Sequence, residues 1–313
     1  MQSISVIIPA YNSGKYIKAA IDSVLIQSYK PLEIIIIDDG STDNTETVIR
    51  SYGDKVVYCH QENAGSGKAR NTGIKLAKGD WIAFLDSDDY WYEDHLKKLI
   101  ARLSTNKKAD MVYGAQRYVH EDGTPCAEKH QQDNFPEGWI FADMFEANYV
   151  STPAVVVRRS LLQQLGGFSE SPSLRNGQDN DLWLRISANS LILSEPDVVF
   201  DYRRHSNNRT LDHRNMIKGR LAALNNAVRL IKSGRVNSEN QPEKIKVKTR
   251  MIALYRQSIR SLFFMGDYNE ARAVGFEALG KNYGSGDLLV RTMLSCLPHK
   301  ALAFAKTTRR KNI

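Results

Sequence analysis

The sequence predicts an α/β protein, with a mainly parallel sheet flanked by helices and an α-helical extension at the C-terminal end. Three observations carry this expectation. Short apolar runs alternate four times with helically spaced segments in about the first 90 residues, the pattern of strands joined by crossover helices. One run, Glu33-Ile34-Ile35-Ile36-Ile37, is apolar throughout, as a strand buried on both faces must be. From about residue 215 the strand pattern stops and only helical spacing remains. The expected division is a domain over 1–214 and a helical basic extension over 215–313.

The elements follow in order. Ser5-Val6-Ile7-Ile8-Pro9 reads as the first strand and Ala10 to Gly14 as its turn. Tyr16, Ile17, Ala20, Ile21, Val24 and Leu25 then recur at helical spacing, with Asn12 or Ser13 available as N-cap. The Ile34–Ile37 run empties into Asp38-Asp39-Gly40-Ser41-Thr42-Asp43, with a helix to about Ser51. Val56 to Cys59 is a third strand, and Gly65-Ser66-Gly67 opens a helix bearing Lys68, Arg70 and Lys75. Trp81 to Leu85 is a fourth strand, and a helix is expected from near Trp91. Met111 to Gly114 and Ala154 to Val157 read as strands around a polar turn or hairpin at 119–137. Met251 to Phe264, a Gly266-Asp267 break and Tyr268 to Leu279 read as a helical hairpin.

Composition narrows the class. No apolar run approaches a membrane span, and no basic segment with an apolar core marks a signal peptide, so a cytoplasmic protein is expected. Cys59, Cys126 and Cys296 are distant and odd in number, which suits reduced thiols and neither a disulfide frame nor a zinc site. The net charge of +8 is unevenly spread. Residues 1–214 hold 24 Lys+Arg against 29 Asp+Glu, a net of −5, and residues 215–313 hold 19 against 6, a net of +13. The apolar and basic tail from Leu288 through Ala305 to Lys311 has two readings: helices packed on the main domain, or docking on the cytoplasmic face of a membrane. Nucleic acid is not an expected partner, because the basic residues are not interleaved with aromatics and match no binding motif. Homo-oligomerisation stays open.

The chemistry gathers at Asp86-Ser87-Asp88-Asp89, three carboxylates in four residues directly after a strand. Side chains two apart on a strand share a face, so Asp86 and Asp88 can converge. Carboxylates so crowded repel one another unless a cation sits among them, and Mg²⁺ takes one or two protein carboxylates with water and phosphate completing its shell. The competing reading is a turn that caps the next helix, the role expected of Asp89. Asp38-Asp39 and Asp86-Ser87-Asp88 both follow strand ends, where parallel sheets bind their ligands. There is no G-x-G-x-x-G and no Walker loop, so a phosphate would be held by metal and basic side chains.

Four further segments extend the pattern: Asn63-Ala64-Gly65 to Gly73, Gly166-Gly167-Phe168-Ser169-Glu170, Asp179-Asn180-Asp181-Leu182-Trp183-Leu184-Arg185 and Tyr202-Arg203-Arg204-His205. With Ser5 to Asn12, Ile37 to Asp43 and Leu85 to Asp89, they stand in the order found in the family 2 glycosyltransferases, which this chain resembles over about residues 3–210. The resemblance implies a Rossmann-like GT-A fold and an inverting transfer from a nucleotide-diphosphate sugar, most often a UDP-sugar. The acceptor it implies is a glycan or lipid-linked glycan in cell-surface polysaccharide synthesis. It implies that Tyr11 and Asp39 bind the base, with Pro9 and Ala10 lining that pocket, and that Asp38 and Asp39 are interchangeable in the assignment. Arg70, with Lys68 as helper, would reach the ribose or diphosphate. Asp86, Ser87 and Asp88 match the D-x-D signature for ribose and metal, Mg²⁺ or Mn²⁺, with His205 as a second metal or phosphate residue. Asp179 aligns with the general base and Asp181 is expected to serve the helix start. Many relatives carry Glu-Asp where this chain has Gln178-Asp179, so a catalytically silent sugar-nucleotide-binding protein is the alternative.

Overall fold

The computed structural model describes residues 2–127, 135–206, 208–284, 286 and 292–293, and its first strand sets the frame. β1 (Ile4–Ala10) is buried along its whole length and leads through α1 (Ile17–Leu25) to β2 (Glu33–Asp38). α2 (Thr45–Arg50), β3 (Val57–His60), α3 (Ser66–Leu76) and β4 (Trp81–Phe84) complete the alternation that the sequence predicts. β2, β3 and β4 all run parallel to their partners in this half, with Ser5 opposite Glu33, Ile4 opposite Trp81 and Ile35 opposite Val57.

The second half mixes directions. β5 (Tyr90–Trp91), α4 (His95–Ser104) and β6 (Ala109–Val119) are followed by α5 (Phe141–Glu146), β7 (Val155–Arg158) and α6 (Arg159–Gln164). α7 (Gln178–Ser187), β8 (Leu191–Arg203) and α8 (His213–Lys232) close the main unit. The eight strands form one sheet in the order β3-β2-β1-β4-β7-β6-β8-β5. β7 pairs antiparallel with β4 and β6, and β8 runs parallel to β6. The order reverses at β1, with β2 on one side and β4 on the other, and such a reversal opens a crevice at the strands' carboxyl ends.

Three sequence expectations need correction. Trp91 lies in a short strand with its indole donating to the Pro153 carbonyl at 2.7 Å, and the helix begins four residues later at His95. Asn12 and Ser13 do not cap α1 with their side chains. Asn12 instead accepts from the Thr42 amide at 2.8 Å, and the Ser13 and Ser87 hydroxyls meet at 2.7 Å, so both residues tie loops together. β8 was hidden by Pro196 and its acidic neighbours, which break a strand pattern. The sheet absorbs them as a bulge: register with β6 jumps from Gly114 opposite Glu195 to Ala115 opposite Val198.

Contacts divide the chain at Pro242, later than the boundary at 214 expected from composition. α8 belongs to the first unit because it packs on the segment before α7. An added Cβ on Gly219 would stand 2.6 Å from the Asn176 carbonyl carbon, so the two backbones touch. The second unit contains α9 (Val247–Phe264) and α10 (Tyr268–Gly280), the hairpin the sequence predicts. The tail expected over Leu288–Ala305 lies outside the described residues apart from Thr292 and Met293. Among the described residues no helix is long and apolar enough to cross a membrane.

His95 shows what core burial does to a titratable side chain. It is fully buried, stacks on Trp91 with ring centroids 3.9 Å apart, and its Nδ1 lies 3.0 Å from the Val199 carbonyl. Burial pushes its pKa down to about 3. The unfolded chain binds a proton below about pH 6.5 that the folded chain refuses, so stability is full above that pH and falls as the pH drops toward 3, by about 1.4 kcal/mol per unit. Urea unfolding between pH 7 and 4 should show this slope, and His95→Phe should remove its share. An unchanged slope in the variant would contradict a neutral buried imidazole.

Candidate active site

A cleft of about 1030 Å³ opens at the carboxyl ends of β1, β2 and β4. Small-molecule sites typically span about 300–1,000 Å³, so this one lies at the large end of that range. Pro9 and Ala10, the last residues of β1, form part of its wall, and Tyr11 follows with its ring half exposed.

The two acids after β2 part company. Asp39 faces the cleft, where its carboxylate accepts from Gln61 Nε2 at 2.7 Å, the Ala64 amide at 3.0 Å and the Gly65 amide at 2.8 Å. A carboxylate offers about four acceptor positions, which leaves one for a ligand. Asp38 does not line the cleft. It accepts from the Ser41 amide at 2.9 Å and the Tyr58 hydroxyl at 3.0 Å, and thereby shapes the turn. Gly40 sits in that turn at φ +78°, where a Cβ would also meet the Asn63 amide at 2.9 Å.

Arg70 projects from α3 into the cleft, pairs with Asp86 and lies over the Phe168 ring at 5.3 Å. Its Nε is buried with no hydrogen-bond partner among the described residues. Lys68 turns to the other side of α3, ion-paired with Glu170 at 3.1 Å, and does not line the cleft. Two residues apart on a helix they cannot share a face, but spacing alone does not say which of the two turns inward.

Asp86 and Asp88 both reach the cleft, but not as neighbours on a strand, because β4 ends at Phe84. Asp86 is held by Arg70, and Asp88 Oδ2 lies 2.9 Å from His205 Nε2. Ser87 lines the cleft between them, fixed by Ser13. His205 stacks on Tyr16 with ring centroids 4.8 Å apart, which orients its imidazole toward Asp88. Among the described residues no three His, Cys, Asp or Glu side chains gather in metal-binding geometry. Asp88 and His205 are the adjacent pair that could face a cation whose shell is completed by water and phosphate oxygens.

Asp89 is no helix cap. It is buried, and its Oδ1 accepts from the Arg203 amide at 2.8 Å while Oδ2 has no partner among the described residues. Burial and the charges of Asp88 and Asp86 push its pKa well above the usual carboxylate range, which favours the neutral acid.

Asp179 enters from the first turn of α7 and lines the same cleft. Burial raises its pKa, the Asn180 amide and Arg70 oppose that, and the charge of Asp86 adds to it. Asp181, two residues on in the same first turn, serves structure: it binds Arg185 at 2.9 Å and accepts from Asn226 of α8 at 2.8 Å. Gln178 is buried against α3, where a Cβ at Gly67 would meet its Oε1 at 2.6 Å.

Arg209 was missed as a separate site residue. It lines the cleft and donates to Ser66 Oγ at 2.7 Å; its accessible surface is that of an exposed side chain, while desolvation by the surrounding cleft and the neighbouring Arg70 lower its pKa. Its signal was present in the basic loop after Tyr202, but only the fold shows which Arg of that loop turns inward.

The seat of α7 gives a test. Gly177 precedes α7, and its own missing Cβ would stand 2.8 Å from the Gly219 Cα. Gly219→Ala should overpack this contact and destabilise the protein by about 1–3 kcal/mol. Urea denaturation measures it, and an unshifted midpoint would show that α8 is not seated on this turn.

Comparison with known proteins bears on the family and the fold. Residues 5–166 match the family model described as Glycosyl transferase family 2. The Escherichia coli UDP-Glc:alpha-D-GlcNAc-diphosphoundecaprenol beta-1,3-glucosyltransferase WfaP is 32% identical over 65% of this chain and 78% of its own length. Two solved structures share the fold. One is Staphylococcus aureus TarS 1–349 in complex with UDP-GlcNAc, with a TM-score of 0.58 and 20% identity over 94% of this chain and 90% of that one. The other is the Pyrobaculum calidifontis mannosyltransferase PcManGT with GDP-Man and Mn²⁺, with a TM-score of 0.61 and 19% identity over 98% and 80%. Against several Rickettsia relatives the chain spans only 34% to 64% of their length.

Proposed function

The chain belongs to glycosyl transferase family 2, and from that premise we propose that it transfers a sugar, with inversion, from a nucleotide-diphosphate sugar to a glycan or lipid-linked glycan in cell-surface polysaccharide synthesis. One observation carries the reading. Asp179, Arg70 and Asp86 share one cleft closely enough for the latter two to shift the titration of the first. A carboxylate fit to accept a proton thus stands beside an arginine that would hold a diphosphate and an acid that would hold a ribose.

The roles follow from position. Tyr11 and Asp39 take the nucleotide base, Asp39 with its remaining acceptor position. Asp86 takes the ribose, and Arg70 and Arg209 take the diphosphate. A UDP-sugar is the favoured donor, since WfaP is named for UDP-Glc. Asp88 and His205 would hold Mg²⁺ or Mn²⁺. Such a cation, when bound, neutralises the departing diphosphate as a Lewis acid.

In the transfer, an acceptor hydroxyl attacks the anomeric carbon while its proton passes to the Asp179 carboxylate. The bond from that carbon to the diphosphate oxygen breaks, and the electron pair leaves with the nucleoside diphosphate, facing Arg70 and Arg209. One displacement gives one inversion and needs no second carboxylate as leaving-group acid. A lipid-linked acceptor would confine this reaction to a membrane surface.

The proton acceptor is testable. Asp179→Asn keeps the shape and removes the base, so donor binding should persist while turnover falls on the order of 10²-fold or more. Wild-type turnover should fall on the acid side at a higher pH than an ordinary Asp would give, because the carboxylate's pKa is raised. Wild-type rates in Asp179→Asn would refute the assignment. Donor binding without turnover in the wild type, with any acceptor of a broad panel, would favour the silent binder that Gln178 suggests.

The metal is tested separately. Asp88→Ala should abolish stimulation of turnover by Mg²⁺ or Mn²⁺, measured as nucleotide release. Full activity of this variant, or of wild type in excess chelator, would exclude a metal role for Asp88.

A further inference from the structure

A second cavity lies at the opposite edge of the sheet from the cleft, where β1 and β4 begin and β7 ends. It measures about 380 Å³, and Gln2, Asp80, Trp81, Lys107, Arg158 and Arg159 are among the residues that line it. Trp81 pairs with Arg158 across the strands, and directly opposite residues share a face, so the Arg158 guanidinium lies over the indole at 4.6 Å. Arg158 is also neutralised, by Asp110 at 2.7 Å. Arg159, the first residue of α6, is held differently. Its Nε donates to the Gly79 carbonyl at 2.6 Å, and its two terminal nitrogens meet no acceptor among the described residues. Lys107 is exposed and has no ion pair among the described residues. Two cations are thus unengaged at one cavity, and among the described residues Asp80 is the only acid lining it. The acceptors there are unengaged too. Gln2 Oε1 is buried with no hydrogen-bond partner among the described residues, and the Asp80 carboxylate receives one bond, from Ser3 Oγ at 2.8 Å.

A guanidinium anchored through Nε presents its two outer nitrogens as a fork, the geometry that takes two oxygens of one phosphate or carboxylate. With an ammonium beside it, the fork suits a phosphate monoester, which carries nearly two charges at neutral pH. The Gln2 carbonyl and the Asp80 carboxylate call instead for hydrogen-bond donors. Amines would bring positive charge toward Lys107 and Arg159, which leaves hydroxyls. Size and surface narrow the ligand further. The cavity falls at the small end of the ~300–1,000 Å³ range of small-molecule sites, well above what inorganic phosphate fills. A nucleotide would need an open face on which to stack its base, and Trp81 is only 5% exposed with Arg158 over it. We propose that this cavity binds a sugar phosphate, with its phosphate on Arg159 and Lys107 and its hydroxyls on Gln2 and Asp80. The site lies outside the transfer cleft and stands whether or not the chain transfers a sugar.

Titration calorimetry of the full chain, with excess UDP present to occupy the cleft, reads this out. Glucose 6-phosphate is the probe, and inorganic phosphate, glucose and AMP are compared with it. Glucose 6-phosphate should bind about tenfold more tightly than phosphate or AMP, and glucose alone should give no measurable heat. Arg159→Lys keeps the charge and loses the fork, so binding should weaken about tenfold, the worth of one charge-assisted hydrogen bond. Lys107→Ala, at an exposed side chain with no ion pair to lose, should weaken it similarly. Gln2→Leu keeps the bulk and removes the acceptor, so glucose 6-phosphate should fall toward the level of phosphate while phosphate itself binds as before. Arg70→Ala, in the cleft, should bind the probe as the wild type does. A thermal melt of each variant separates lost binding from lost folding, and Lys107→Ala keeps the test open if Arg159→Lys proves unstable. Equal binding of phosphate and glucose 6-phosphate, or of AMP and glucose 6-phosphate, would overturn the sugar phosphate assignment. Wild-type affinity in Lys107→Ala and Arg159→Lys, or loss of binding in Arg70→Ala, would overturn the site.

Discussion

The buried guanidinium of Arg70 is the group on which the cleft depends. Its side chain is 6% exposed, and a cation so placed is costly unless charge surrounds it. Asp86 supplies that charge from the loop after β4, and the face of Phe168 supplies a π surface below it. The arrangement fixes α3 against the end of β4 and ties the segment after α6 to both. It also leaves Arg70 Nε buried without a partner, a cost of about 1–3 kcal/mol for an unmade hydrogen bond. A protein that tolerates such a cost at the mouth of a cleft has a use for the donor, and an anionic ligand is the simplest one. Arg209, close enough to Arg70 that the latter's charge helps lower its pKa, belongs to the same demand.

From that centre the division of labour among the acids becomes physical. Five acids after two strands could not all serve a ligand, because like charges at short range suppress one another. The fold resolves this by giving each a different partner. Asp38 takes a turn, Asp39 a loop of amides, Asp86 an arginine and Asp88 a histidine. Asp89 is withdrawn into the interior, where the protonated form is favoured. Asp179 arrives from another element altogether, carried by α7 on the seat that α8 provides.

Much of this was legible in the sequence, for a definable reason. The parallel half of the sheet announces itself because strands buried on both faces must be apolar throughout, as Ile34 to Ile37 are. The carboxylates beyond the strand ends could be assigned to a cleft because parallel topology puts all those ends on one edge. What stayed hidden depended on long-range packing. β8 carries Pro196 in a bulge, so its pattern reads as loop until β6 is beside it. Lys68 and Arg70 are chemically alike and two residues apart, and only the helix's rotation sends one inward. The role of α8 rests on a contact between two glycine backbones, and no periodicity reports that.

The proposed transfer is a single displacement in which Asp179 takes the proton and no carboxylate attacks the sugar. The stereochemistry of the product reads this out directly. Proton NMR of the product formed from an α-linked, gluco-configured UDP-sugar should show the large anomeric coupling of a β-linked residue. An α-linked product would require two displacements or none of this geometry, and would contradict the central claim.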